Sequence, residues 1–102
     1  MKDHKTMIIV SVRAPTILEA DKLADMKTII FNRVVAPLKC ETRVHYAVDK
    51  HNSKILNFYI FKEGKLKNSM REKLEAIMSK LGLYWKAMLG WQVMTVDKMD
   101  DI

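Results

Sequence analysis

The chain has 102 residues, 49% of them hydrophobic and 29% charged, and its 18 Lys and Arg residues against 12 Asp and Glu residues give a net charge of +6. This length predicts one domain over residues 1–102, and the composition excludes a disordered chain. The charge excludes an acidic mimic of nucleic acid, and the single cysteine, Cys40, excludes an internal disulfide and a Cys-rich metal site. We expect residues 1–4 to be an N-terminal tail and the acidic residues 97–102 to be a C-terminal tail.

The first predicted elements are a strand and a helix. Residues 5–13 form a short apolar run rich in β-branched side chains, which is typical of a central strand. Thr16 and Glu19 have the spacing of a capping box, which predicts the start of a helix. A core-facing stripe follows at helical spacing: Ala20, Leu23, Met26, Ile30 and Val34. Pro37 predicts the end of this helix, because the residue before a proline avoids the α conformation.

Two strands and a polar turn follow. Residues 40–48 alternate between two faces, and the set expected to face the core is Cys40, Thr42, Val44, Tyr46 and Val48. Residues 49–53 are polar and turn-like, and residues 55–61 form the next apolar run. This pattern predicts a hairpin.

The last third of the chain predicts a second helix and a final strand. Ser69 and Glu72 form another potential capping box, and apolar residues recur at helical spacing up to Leu81. Gly82 predicts the end of this helix. Residues 83–90 fit either a helical extension or an edge strand, and residues 91–96 form the last strand.

The order β-α-β-β-α-β predicts a ferredoxin-like α+β sandwich, with both helices on one face of an antiparallel sheet and adjacent parallel strands joined by right-handed crossovers. The helix-covered face is expected to carry Ile8, Val10, Val12, Val44, Tyr46, Val48, Leu56, Phe58 and Ile60. The open face is expected to carry Met7, Ile9, Ser11, Arg13, Arg43, His45, Ile55, Asn57, Tyr59 and Phe61. The last strand adds either Trp91 and Val93 or Gln92 and Met94 to the open face.

The predicted open face is more apolar at its centre than a solvated sheet should be. Ile9, Tyr59 and Phe61 lie there beside His45, and such a patch marks a binding or self-association surface. A shift of one residue in the phase of the third strand would exchange the two faces and bury these side chains.

Our main hypothesis is that this face binds nucleic acid, RNA or single-stranded DNA, or a nucleoprotein complex. Tyr59 and Phe61 would stack on bases, as aromatic residues do in RNA-recognition-motif sheets. The similarity is one of topology only, because the third strand lacks the glycines of that family's signature and the first strand has no aromatic residue.

The segment 62–73 is locally basic, and such clusters attract polyanions through counterion release. The ordinary alternative is a solvated helix face. The residues expected to contact phosphates are Arg13, Arg43, Lys62, Lys65, Lys67, Arg71 and Lys73.

Two other functions stay open. The first is a protein-binding regulator or inhibitor, of the kind that phages and other mobile elements encode. It would act through the open face or through an aromatic and methionine cluster formed by Tyr84, Trp85, Met88 and Trp91. The second is a homodimeric α+β barrel in which two open faces enclose a pocket for an aromatic or haem-like ligand, lined by His45, Tyr59 and Trp91.

No motif predicts an enzyme, a cofactor or a metal site. The three histidines are not brought together by their spacing, Cys40 has no histidine near it in sequence, and the three glycines are isolated, so no phosphate-binding loop is present. We therefore expect a protein without catalytic activity. No apolar run has the length of a membrane span or a signal peptide, so we expect no membrane association and a cytoplasmic location.

Overall fold

The computed structural model describes residues 5–38 and 42–96. The strands are β1 (Lys5–Arg13), β2 (Thr42–Val48), β3 (Ile55–Glu63) and β4 (Met88–Val96), and the helices are α1 (Ala20–Ile30) and α2 (Asn68–Trp85). After α1 the chain continues as a π-helical turn over Phe31–Val35 and a 3-10 turn over Ala36–Leu38. The predicted α+β class is confirmed, whereas both predicted tails and Cys40 lie outside the described residues.

The four strands form one open antiparallel sheet in the order β2-β3-β1-β4, which is consistent with the predicted ferredoxin-like arrangement. The expectation that each helix joins adjacent parallel strands is wrong. β1 and β2 run parallel, but β3 lies between them, and β1 likewise separates β3 from β4. The reason is the short β2–β3 hairpin, which keeps these two strands together and leaves β3 to pair with β1.

The core lies between one face of the sheet and the two helices. Its sheet side is made of alternate residues of β1 and β3, each at most 1% exposed: Ile8, Val10, Val12, Leu56, Phe58 and Ile60. Its helix side includes Met26, Ile30, Val34, Leu74, Met78 and Leu81. The predicted phase of both central strands is therefore confirmed, and within residues 5–38 and 42–96 no helix lies on the opposite face.

The register of β4 decides between the two sets left open for the last strand. Trp91 pairs with Val10 and lies on the core face, where Trp91 and Val93 pack against the buried cluster. Gln92 pairs with Ile9, and directly paired residues of antiparallel strands point to the same face. Gln92 and Met94 therefore belong to the open face.

On β2, the expectation that the whole core-facing set is buried is wrong. Val44 packs against the core, but Tyr46 and Val48 remain 52% and 37% exposed, because β2 is an edge strand and the core ends near Val44. Tyr46 is held from the α1 side instead. The Lys27 ammonium donates a hydrogen bond of 3.0 Å to Tyr46 Oη and lies 4.2 Å from the ring centroid.

Both predicted capping boxes are wrong. α1 begins after Glu19 and α2 begins after Lys67, and neither N-cap residue makes a side-chain capping hydrogen bond. For α1 the reason is tertiary. The Ala14 N–H donates to the Lys54 carbonyl at 2.8 Å and the Leu18 N–H donates to the Ser53 carbonyl at 3.1 Å. These bonds hold the segment that follows β1 against the β2–β3 turn, so helix formation is delayed past Thr16.

The predicted end of the first helix at Pro37 is also wrong, since the helical path continues to Leu38. The wider π-helical turn precedes the proline, and its end is marked by the Ala36 N–H, which donates to the carbonyl of Phe31. Pro37 is accommodated in the 3-10 turn that follows.

Gly82 does not end the second helix, which continues to Trp85, and β4 begins at Met88, so the ambiguous segment 83–90 is divided between the end of a helix and the start of a strand. Lys86 then adopts a left-handed conformation with φ of 53°, and its N–H donates to the Gly82 and Leu83 carbonyls. The Ala87 N–H also donates to the Gly82 carbonyl, at 2.9 Å. A Cβ at position 82 would lie 3.3 Å from the Ala87 carbonyl oxygen, so glycine permits this close return of the chain.

The two faces of β3 predict unequal costs for two similar substitutions. Phe58 is 1% exposed in the core, whereas Phe61 is half-buried on the open face. We expect Phe58→Ala to lower the free energy of unfolding by about 3–5 kcal/mol, as for other buried aromatic residues, and Phe61→Ala to cost less than half of that. Urea denaturation followed by circular dichroism measures both. Equal losses would contradict this assignment of faces.

Candidate binding face

The candidate site is the open face, defined as the side chains of β1–β4 that point away from the helices. The strand register arranges these side chains in rows across the sheet. The central row is His45, Tyr59, Ile9 and Gln92. The rows on either side of it are Arg43, Phe61, Met7 and Met94, and Ala47, Asn57, Ser11 and Gly90.

The apolar patch lies on the two central strands. Met7 and Ile9 of β1 and Tyr59 and Phe61 of β3 are all half-buried and occupy two neighbouring rows. The exposed His45 ring meets the Phe61 ring in an edge-to-face arrangement, with centroids 5.9 Å apart and an interplanar angle of 80°. The predicted centre of the open face is therefore a continuous aromatic and aliphatic surface.

One polar pair lies beside this patch. The Ser11 hydroxyl donates a hydrogen bond of 2.7 Å to Oδ1 of Asn57. This bond fixes the orientation of the Asn57 amide in the row next to Tyr59. The face therefore carries an oriented amide beside an aromatic ring.

The charges of the open face are at its two ends. Arg43 lies in the row of Phe61, whereas Arg13 lies in line with Ile55 at the other end, about 20 Å along β1 from Met7. Both arginines are exposed. Among the described residues on this face the acidic side chain is Glu63, which lies 3.6 Å from the Lys5 ammonium. The face therefore has a positive balance.

Lys62 is placed differently from the other residues expected to contact phosphates. Lys62 is two residues after the buried Ile60 on β3, so it lies on the same helix-covered face, and it is only 8% exposed. Its ammonium donates to the carbonyl of Glu63 at 2.7 Å and to that of Lys65 at 3.3 Å. Lys62 therefore fixes the connection between β3 and α2, and we remove it from the expected phosphate contacts.

The remaining basic residues of this segment are exposed but do not share one surface. Lys65 and Lys67 lie in the β3–α2 connection, beyond the end of the sheet that carries Phe61. Arg71 and Lys73 are on α2, in the helix layer on the other side of the sheet. A strand lying flat on the open face would therefore not reach Arg71 or Lys73.

The aromatic and methionine cluster expected near the C-terminus does not form a single docking surface. Trp85 is 7% exposed in the core, and Trp91 is half-buried against it. Tyr84 and Met88 are 67% and 73% exposed, but Tyr84 lies in the helix layer and Met88 lies on the open face opposite Arg13. The position of Trp91 also removes it from the pocket that two facing open faces would enclose.

Sequence reasoning missed two surface features. Leu83 is 81% exposed on α2, outside the buried stripe of that helix, and it could have been found from its helical phase. A groove of about 360 Å³ lies between α1 and β2, where Phe31, at 55% exposure, and Tyr46 contribute aromatic side chains. No pattern in the sequence predicts the π-helical turn that places Phe31 in this groove.

Comparisons with known proteins give no further constraint, since no protein-family model, curated protein or solved structure matches the chain. Within residues 5–38 and 42–96, no three His, Cys, Asp or Glu side chains are grouped so that they could hold a metal ion. His4 and Cys40 lie outside these ranges. In the same part of the chain, no helix has the length and apolar character needed to cross a membrane.

The role assigned to Lys62 predicts a loss of stability. Lys62→Ala removes an ammonium that donates to two carbonyl groups, whereas Lys65→Ala removes an exposed side chain. We expect the first variant to lower the free energy of unfolding by about 1–3 kcal/mol and the second to change it by less than about 0.5 kcal/mol. Thermal and urea unfolding measure the difference, and a neutral Lys62→Ala variant would contradict this role.

Proposed function

We propose that the protein is a non-enzymatic module that binds single-stranded nucleic acid, RNA or DNA, on the open face of its sheet. The observation that carries this proposal is the pair Tyr59 and Phe61, which lie on one face of a central strand with Arg43 beside Phe61. Stacking on aromatic rings and neutralisation of phosphates are the two interactions by which proteins bind single strands without strong sequence preference.

The spacing of the two rings favours a single strand over a duplex. Tyr59 and Phe61 are two residues apart on β3, so their Cα atoms are separated by about 7 Å. Successive bases in a duplex are stacked only about 3.4 Å apart. Bases must therefore leave their own stack to lie on both rings, which is easy in a single strand and costly in a duplex.

The charge distribution supports a path for the phosphates along the sheet. Arg43 flanks the aromatic pair, Arg13 lies at the far end of the face, and Lys65 and Lys67 continue beyond the near end. Glu63 is neutralised locally by Lys5. This smaller set replaces the larger one expected from the sequence.

The same charges favour a polyanion over a second copy of the face. Two open faces packed together would bring the exposed arginines of both copies towards each other, with Glu63 as the acidic side chain that each copy contributes from its described strands. Like charges brought together repel, which disfavours this pairing. A phosphate backbone supplies the missing negative charge.

The stacking role predicts a loss of affinity in an aromatic double variant. We expect Tyr59→Ala with Phe61→Ala to weaken binding by about 1–3 kcal/mol for each stacked base, which is about 5- to 150-fold per base. Fluorescence anisotropy with labelled single-stranded RNA, single-stranded DNA and duplex DNA measures this loss. Tyr84→Ala is the matched control, because it removes an exposed aromatic ring from the helix layer.

Three results would contradict the proposal. The first is an absence of binding at about 50 mM salt, where phosphate contacts are strongest. The second is unchanged affinity in the double variant, provided that circular dichroism shows it to be folded. The third is an equal loss of affinity in the Tyr84→Ala control.

Salt dependence distinguishes a specific charged face from general positive charge. We expect Arg43→Gln to reduce the slope of log affinity against log salt by about 1, because one phosphate contact is lost. Arg71→Gln makes the same change of charge in the helix layer and should leave the slope unchanged. Titrations between about 50 and 200 mM salt measure both slopes, and equal slopes for the two variants would place the binding elsewhere.

A further inference from the structure

The outer edge of β4 lacks the features that usually prevent strand pairing. β4 is nine residues long, and its sequence, MLGWQVMTV, contains no charged residue and no proline. Its pairing with β1 runs without a bulge from Met88 to Val96, and its other edge has no partner among the described residues. Unpaired N–H and C=O groups on such an edge form a template for another strand, and proteins usually block it with charges, prolines, bulges or short strands.

The opposite edge of the sheet is protected. β2 is seven residues long and includes the exposed Arg43 and His45. Lys27 of α1 reaches across to Tyr46 on the same strand. The two edges therefore differ, and strand pairing is favoured at the β4 edge but not at the β2 edge. Because each chain offers one such edge, the pairing would stop at a dimer and would not extend into a filament.

We propose that β4 pairs antiparallel with β4 of a second copy of this chain, so that the two sheets join edge to edge. A second copy fits because it offers an equally long uncharged edge, and the two-fold symmetry satisfies both edges at once. Overlap along the whole strand places Gln92 on the two-fold axis. Trp91 then pairs with Val93 of the partner subunit, and Gly90 pairs with the partner's Met94.

The side chains in this register are complementary. On the covered face each Trp91 meets a β-branched valine, which is a favourable cross-strand pair. On the open face the two Gln92 amides meet, and each can both donate and accept a hydrogen bond. Gly90 leaves open space, because a Cβ at this position would have no neighbouring atom within 4 Å. The side chain that pairs with Gly90 is the partner's Met94, a residue that is 45% exposed in the single chain.

Apolar surface beside the same edge adds to the driving force. A groove between α2 and β4 is lined by Met78, Leu83, Leu89 and Trp91 together with Glu75 and Ser79, and Leu83 is 81% exposed. A second copy joined at β4 places its own α2 and β4 next to this groove. Burial of the exposed Leu83 and further burial of the half-buried Leu89 and Trp91 would stabilise the pairing beyond its backbone hydrogen bonds.

A charge on the axis tests the interface. Gln92→Lys places two like charges directly opposite each other, which destabilises strand pairing. We expect the unmodified chain to have the mass of a dimer at about 0.1 mM, well above a micromolar Kd, and Gln92→Lys to have the mass of a monomer. Ala47→Lys is the matched control, because it adds the same charge to the open face of the opposite edge strand and should leave the dimer intact.

Disulfide formation tests the register in a Cys40→Ser background. Residues paired across an antiparallel ladder have Cα atoms about 4.5–5.5 Å apart, which a disulfide can span. Gln92→Cys should therefore form a covalent dimer on mild oxidation. Met94→Cys should not, because two copies of residue 94 would be about 13 Å apart in this register.

Several results would overturn the proposal. These are a monomeric mass for the unmodified chain at about 0.1 mM, larger polymers, or faster cross-linking of Met94→Cys than of Gln92→Cys. A dimer that survives Gln92→Lys but is lost in the Tyr59→Ala and Phe61→Ala variant would indicate pairing of the open faces. The proposed function is tested separately, because the Tyr59→Ala and Phe61→Ala variant leaves β4 unchanged and should keep the mass of a dimer while it loses affinity for nucleic acid in the anisotropy measurement.

Discussion

The pairing of β1 with β3 is the constraint on which the other features of this protein depend. These central strands pair in continuous antiparallel register. On both strands the even-numbered residues face the core, so the aliphatic residues around Phe58 are buried. A slip of β3 by one residue would exchange the two faces of that strand, exposing Phe58 and burying Tyr59 and Phe61 beneath the helices. The hydrophobic free energy of that core therefore also determines which aromatic rings stay accessible.

The chain covers one face of the sheet and leaves the other to be used. α1 and α2 bury the covered face. Lys62 lies at the end of β3 on this face, and its ammonium is buried and donates hydrogen bonds to two carbonyl groups. On the open face, the cations and aromatic rings have two such contacts with other described residues, Lys5 with Glu63 and His45 with Phe61. The difference between the structural Lys62 and the exposed Arg13 and Arg43 is thus which face of the sheet each side chain lies on.

Local sequence patterns were sufficient to predict the strands that bury alternate residues. They were insufficient where contacts with residues distant in sequence determine the start of a helix, the face of a strand or the exposure of a side chain. The faces of β1 and β3 were predicted correctly by turning the more apolar alternate set of each strand towards the core, and the burial of Lys62 could have been found by continuing that alternation. The capping box at Thr16 failed because hydrogen bonds from Ala14 and Leu18 to the β2–β3 turn compete with an early helix start. The face on which Trp91 lies is determined by the β1–β4 register, and Tyr46 is exposed because β2 is an edge strand. Neither property can be predicted from the local sequence.

A dimer joined through β4 would constrain how nucleic acid lies on its two open faces. Edge pairing through β4 leaves Tyr59 and Phe61 uncovered and places both open faces on the same side of one extended sheet. A two-fold axis through Gln92 relates these faces, so the path from Arg13 to Arg43 runs in opposite directions on the two copies. A nucleic-acid strand has a chemical direction, and one straight strand cannot satisfy both copies in the same way. Each dimer would therefore hold two separate strands or one strand that loops back, a stoichiometry that a monomeric module would not impose.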